Sequence, residues 1–159
     1  MKKMLVLTMV LVFMCALSIG VFAEEPAGDA VNPELKAELK EMRAELQGLR
    51  AEQQGLHEQV VEKRTTIKEA VKEIKESGSL EALEAIEPLK VELKAIREEL
   101  QTLRAAKKEL WTEIKSAKEV KDYETIKDKL AQVIEYKGQI IEKIEDKIVL
   151  LDSIIDALE

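Results

Sequence analysis

Chemistry in a protein begins with its nucleophiles, bases and metal ligands, and this chain has few of them. His57 is its one histidine and Cys15 its one cysteine. A histidine-based triad or a Cys/His metal cluster needs more ligands than that within one chain. Carboxylates are abundant, and Glu98-Glu99 is the kind of adjacent pair that acid–base catalysis uses. Nothing around them suggests an apolar pocket that would shift a pKa for acid–base work. Asp122, Glu124 and Asp128 gather in one short stretch, without the spacing of a calcium loop. Acidic residues there suit the positive end of a helix. No glycine-rich phosphate loop is present. The expectation is a protein without catalytic residues, cofactor or resident metal.

What remains are residues suited to contact. Trp111 is the one tryptophan, a residue enriched where proteins bind one another. Gly48 and Gly55, seven apart, remove side-chain bulk from one helix face and admit a close neighbour. Lys107 puts a charge where a leucine or isoleucine is due. These four are the candidate partner contacts. The plainer readings are that Trp111 packs under a neighbouring helix, that the glycines lie on a solvated face, and that Lys107 buries its stem while its ammonium reaches water.

The elements that carry these residues are helices. From Pro33, with Asn32 as N-cap, apolar residues alternate by four and three: Leu35, Leu39, Met42, Leu46, Leu49, Leu56, Val60, Ile67, Ala70 and Ile74. That is a coiled-coil seam of nearly six heptads, with polar Gln53 and Lys63 inside it. Ser77-Gly78-Ser79 interrupts it. A second stripe runs from Ala82 to Ala117, with Lys107 inside it and either a kink expected at Pro88 or a short helix from Leu80 to Ile86 before the long one. A third starts behind Asp122 as N-cap and holds Ile126, Leu130, Val133, Ile140, Ile144, Leu151 and Ile154, with Lys137 and Lys147 on the seam. With Leu130 as position a, Ile134, Ile141, Ile148 and Ile155 occupy e. This face is wide enough to touch two neighbours, so the third helix should be the most buried.

The stretch Leu35 to Leu56 also matches Leu89 to Leu110 in phase at every apolar position, an internal repeat. Short joints between helices of similar length predict an all-α fold, an elongated antiparallel three-helix bundle. Its helices span about 33–76, 80–118 and 122–158, within a coiled-coil domain over 33–159.

Charges flank the seams asymmetrically. The e positions of the first helix are Lys36, Arg43, Arg50, His57 and Arg64, and its g positions include Glu38, Glu45, Glu52 and Glu73. The second helix repeats this with Lys90, Arg97 and Arg104 against Glu92, Glu99 and Glu113. Antiparallel pairing sets e against e and g against g, bringing like charges together. Either the third helix separates the flanks, or the first two also pair with copies in another subunit.

Residues 1–23 read as a secretory signal peptide. Lys2 and Lys3 precede an apolar run, and Val21-Phe22-Ala23 suits a peptidase cutting before Glu24. An uncleaved membrane anchor is the rival. A lipoprotein signal acylated at Cys15 fits less well, because bulky Phe13 and Met14 precede it. Residues 24–32 form a short flexible leader. Localisation is therefore expected to be exported: periplasm, cell envelope or extracellular. The net charge of −7 becomes −9 once Lys2 and Lys3 leave. Such a surface disfavours nucleic acid and anionic lipid, leaving a protein partner or a second copy of the chain.

In size, signal and helical content the chain is broadly similar to periplasmic helical chaperones of the Spy and Skp kind, a likeness of architecture that implies client binding. The LTxxQ motif of the Spy group is absent, and the acidic balance departs from the basic Skp type. The functional expectation is a non-enzymatic exported coiled-coil protein binding a protein partner or unfolded clients. The alternatives are a structural spacer or oligomerisation stalk, and a reversible lipid-surface binder, for which the first two stripes are narrow.

Overall fold

The first helix begins where the chain can satisfy its loose N–H groups. Asn32 Oδ1 accepts from the Glu34 amide at 3.0 Å, and Pro33 occupies the first turn, where a missing N–H costs nothing. This computed structural model describes residues 32–77 and 81–159. The signal peptide, all of the leader but Asn32, and Gly78-Ser79 of the expected break lie outside the described residues.

Four helices follow: α1 (Pro33–Ser77), α2 (Glu81–Ala85), α3 (Glu87–Glu119) and α4 (Tyr123–Asp156). Of the two forms expected around Pro88, a kink or a short helix before the long one, the chain takes the short helix. A turn at Ile86 separates α2 from α3, and Pro88 sits in the first turn of α3. That is the position at which proline removes no helical hydrogen bond. The three long helices are also less equal than expected, at 45, 33 and 34 residues. The last turns of α1 run beyond the end of α4. There Ile67, Val71 and Ile74 pack with Ala82 and Leu83 of α2 around the fully buried Ile86.

The joint between α3 and α4 is a Schellman-type stop. The Asp122 amide donates to the Ala117 carbonyl at 2.9 Å, with Lys121 in the left-handed region at φ 57°. Asp122 then caps α4, its carboxylate accepting from the Thr125 amide at 3.0 Å and the Thr125 hydroxyl at 2.7 Å.

The fold is all-α, a bundle of long helices organised around α4. Ten residues of α4 are buried, against four in α1 and five in α3, as its a/d/e face implies. Both α1 and α3 lie along α4, whereas no pair of Cα atoms from α1 and α3 comes within 8 Å among the described residues. Ion pairs set the directions: Lys127–Glu38 and Lys63–Asp152 run α1 parallel to α4, while Lys129–Glu113 and Lys143–Glu99 run α3 antiparallel to it.

Candidate functional site

The third helix resolves the clash between flanks. Counted from Leu130, Lys127 is at e of α4, and Lys129 and Lys143 are at g. Lys127 pairs with Glu38 at 2.5 Å, Lys129 with Glu113 at 2.5 Å and Lys143 with Glu99 at 3.1 Å. The acidic g flanks of both neighbours thus close onto α4, and their carboxylates hold the Lys127 and Lys143 ammonium pKa values above the ordinary range. For Lys143 the hydrogen bond to Asp146 is the larger cause, ahead of Glu99. These α4 lysines were not singled out from the sequence, although their e and g positions could be counted in the same way as those of α1 and α3.

With both acidic flanks on α4, the basic e flanks of α1 and α3 are left on the side where those two helices face each other. Arg50, Arg64, Arg97 and Arg104 are all exposed there. Their positive field, added to burial, lowers the pKa of the half-buried lysines between them. Burial is the larger cause at Lys107, followed by Arg104 and Arg50. At Lys147 it is followed by Arg64, Arg97 and Arg104. We refer to this row of cations as the basic edge.

Beneath it lies a polar layer in the core. Gln53, Lys107 and Lys137 all occupy a positions of their helices. Lys137 is only 6% exposed and donates from Nζ to Gln53 Oε1 at 2.6 Å and to the Leu49 carbonyl at 3.4 Å. Its pKa is pushed down to about 8, by burial first and then by the charges of Lys107 and Arg50, with Glu52 opposing. The layer divides the apolar core. Val60, Leu93, Leu100, Ile140, Ile144, Leu151 and Ile154 cluster on one side of it, and Leu46, Leu110, Ile114, Leu130 and Val133 are buried on the other. A polar layer of this kind fixes which heptads lie side by side, because any slip would bury a lysine ammonium among leucines.

The candidate contacts from the sequence do not form one site. Lys107 belongs to the polar layer. Trp111 is half-buried one turn further along α3 and has an interaction within the chain. Gly48 and Gly55 are exposed, with no atom within 4 Å of where a Cβ would stand. At 100° per residue they face nearly away from Arg50, so they lie apart from Lys107 and the basic edge.

The Glu98-Glu99 pair borders an open depression of about 630 Å³ between α3 and α4, with Thr102, Gln139, Glu142 and Lys143. There Lys143 pairs with Glu99 across the two helices, an arrangement that ties them together. The bundle and its charged edge define the class: an all-α protein of long packed helices. No protein-family model matches the chain, and no curated protein or solved structure matches it either.

Proposed function

We propose that this chain is an exported, non-enzymatic helical scaffold that holds a protein partner through its charged surface. The observation that carries this reading is the distribution of what is exposed. Among the described residues the large apolar side chains left exposed are Val61, Val91, Val120 and Val149, set singly along the bundle. Capture of unfolded clients would call for a contiguous apolar patch of several hundred Å². The basic edge, by contrast, offers several aligned cations. Binding by charge to a folded partner is therefore favoured over a holdase role. A spacer or stalk stays as the second reading, supported by the length of α1, about 68 Å at 1.5 Å per residue. Export is proposed from residues 1–23.

The test is site-specific photo-crosslinking from Arg50 and Arg97 in producing cells, combined with N-terminal sequencing of the accumulated protein. A discrete adduct in the exported fraction, weakened by charge reversal at the neighbouring arginines, supports the scaffold reading. Protein that begins at Met1 and stays in the cytosol would sink the exported part of it. Uniform crosslinking to many denatured proteins would return the client-binding role.

A further inference from the structure

The outward side of α4 is the counterpart of the basic edge. Its b, c and f positions, on the side away from the shared core, include Asp128, Glu135, Glu142, Glu145, Asp146, Asp152 and Asp156, and no lysine or arginine; Glu142 also borders the depression against α3. Asp146 and Asp152 are engaged by Lys143 and Lys63. The others are exposed, with no ion pair among the described residues. On the opposite side of the bundle, Arg50, Arg64, Arg97 and Arg104 have no carboxylate within 4 Å among the described residues. A chain of net charge −7 thus carries one strongly acidic face and one strongly basic edge.

We propose that the basic edge of one copy receives the acidic outer face of α4 from a second copy, side by side and in the same orientation. The interface deepens the proposed function by naming the partner, and rests on that reading only in taking the edge as a binding surface.

Periodicity supports the match. The e row of α1 is Lys36, Arg43, Arg50, His57 and Arg64, and the f row of α4 is Asp128, Glu135, Glu142, Val149 and Asp156. Both repeat every seven residues, about 10.5 Å along a helix, and both carry three charges, one break and a fourth charge. Set side by side in parallel, Arg50 faces Glu142 and Arg64 faces Asp156, while His57 meets the exposed Val149. A slip of one heptad sets Val149 against a cation and spoils the match. Lys36 and Arg43 also have interactions within their own chain, so the pairing rests on Arg50 and Arg64, with Arg97 and Arg104 of α3 behind them.

Topology supports the orientation. Inside one chain α1 and α4 are already parallel, and their ion pairs join residues 89 positions apart, as Glu38 with Lys127 and Lys63 with Asp152. The proposed pairs join residues 92 apart, as Arg50 with Glu142, so neighbouring copies shift by only about 5 Å along the axis. Donor face and acceptor edge are different surfaces. The contact is therefore heterologous, and copies set side by side without a closing rotation extend as an open row and do not close as a dimer.

Light scattering and sedimentation of the protein in the form the cells accumulate will test this across a concentration series. In about 20 mM salt the mean mass should rise with concentration to at least double the monomer's and keep rising. At about 300 mM salt, where screening is within about 6 Å, it should fall back towards the monomer. The variants R50E/R64E and E142K/D156K should each remain monomeric with unchanged helical circular dichroism. Mixing them should restore association, because each then supplies the charge that the other's surface needs. If a variant fails to fold, disulfide trapping stands in its place. Arg50→Cys mixed with Glu142→Cys should crosslink, and Arg50→Cys mixed with Glu135→Cys, one heptad out of register, should not. A folded monomer at every concentration in low salt overturns the proposal, as does a mass that stops at the dimer or ignores the charge reversals. A monomer that crosslinks in cells through Arg50 to a different protein overturns it too, while leaving the scaffold reading standing.

Discussion

Lys137 is the residue on which the interior electrostatics turn. Its ammonium is held almost out of water beside Lys107 and Arg50, with Gln53 and a backbone carbonyl as its hydrogen-bond partners. With a folded pKa of about 8 against an ordinary 10.5, the unfolded chain binds the proton that the folded chain has released between those values. Stability should therefore rise with pH through that window. Lys107 and Lys147 are shifted in the same direction. Lys127 and Lys143 are shifted upward, so their contributions fade only above 10.5. Urea unfolding at several pH values should show Lys137→Met losing on the order of 2 kcal/mol of this rise. Replacing the hydrogen-bonded pair together, as Gln53→Leu with Lys137→Leu, should raise stability at pH 7 by about 1–3 kcal/mol, since burying a charge costs more than its hydrogen bonds return. Equal or lower stability in that double variant would mean that the layer is better solvated than its burial implies.

Among the elements, the two joints behave differently from the helices they connect. Lys121 holds a left-handed backbone at the position that ends helices best with glycine, because a Cβ there crowds the carbonyl. Lys121→Gly should raise stability by about 0.5–1 kcal/mol in denaturant unfolding, the relief of strain exceeding the added entropy of the unfolded chain. At the other joint, Ile86 is 0% exposed and seats α2 against the last turns of α1. Ile86→Ala should cost about 3 kcal/mol through the lost contacts and the cavity left behind. If the cost were under 1 kcal/mol, α2 would be a loosely held connector rather than the closure of the bundle end.

For the whole molecule, the decisive feature is that α1 and α3 pack on α4 without approaching each other closely. Like charges on their facing flanks oppose a close hairpin, while α4 offers lysines to both acidic flanks. The apolar seams of the described helices are thereby covered from within the bundle. A dye that reports exposed apolar surface should show no enhancement over background with the folded protein, and strong binding would favour client capture. The bundle class was legible because a seam of several heptads has one physical outcome, burial of its stripe against other helices. The a/d/e face of α4 likewise announced its central place. The break at Ile86 was legible only as one of two outcomes, since Pro88 disfavours helix at the residue before it without deciding whether the chain kinks or leaves the helix.

The sequence by itself determined the helices, the polar interruptions in their seams and the opposite signs on their flanks, because all of these depend on spacing along one chain. Only the tertiary structure decided which flanks meet. Local periodicity fixes where a residue lies around its own helix, but not which neighbour it faces. The pairing of Lys127 with Glu38 and of Lys143 with Glu99 and the convergence of Gln53, Lys107 and Lys137 follow from how three helices share one core. That choice is made by packing and long-range charge, summed over residues far apart in the chain.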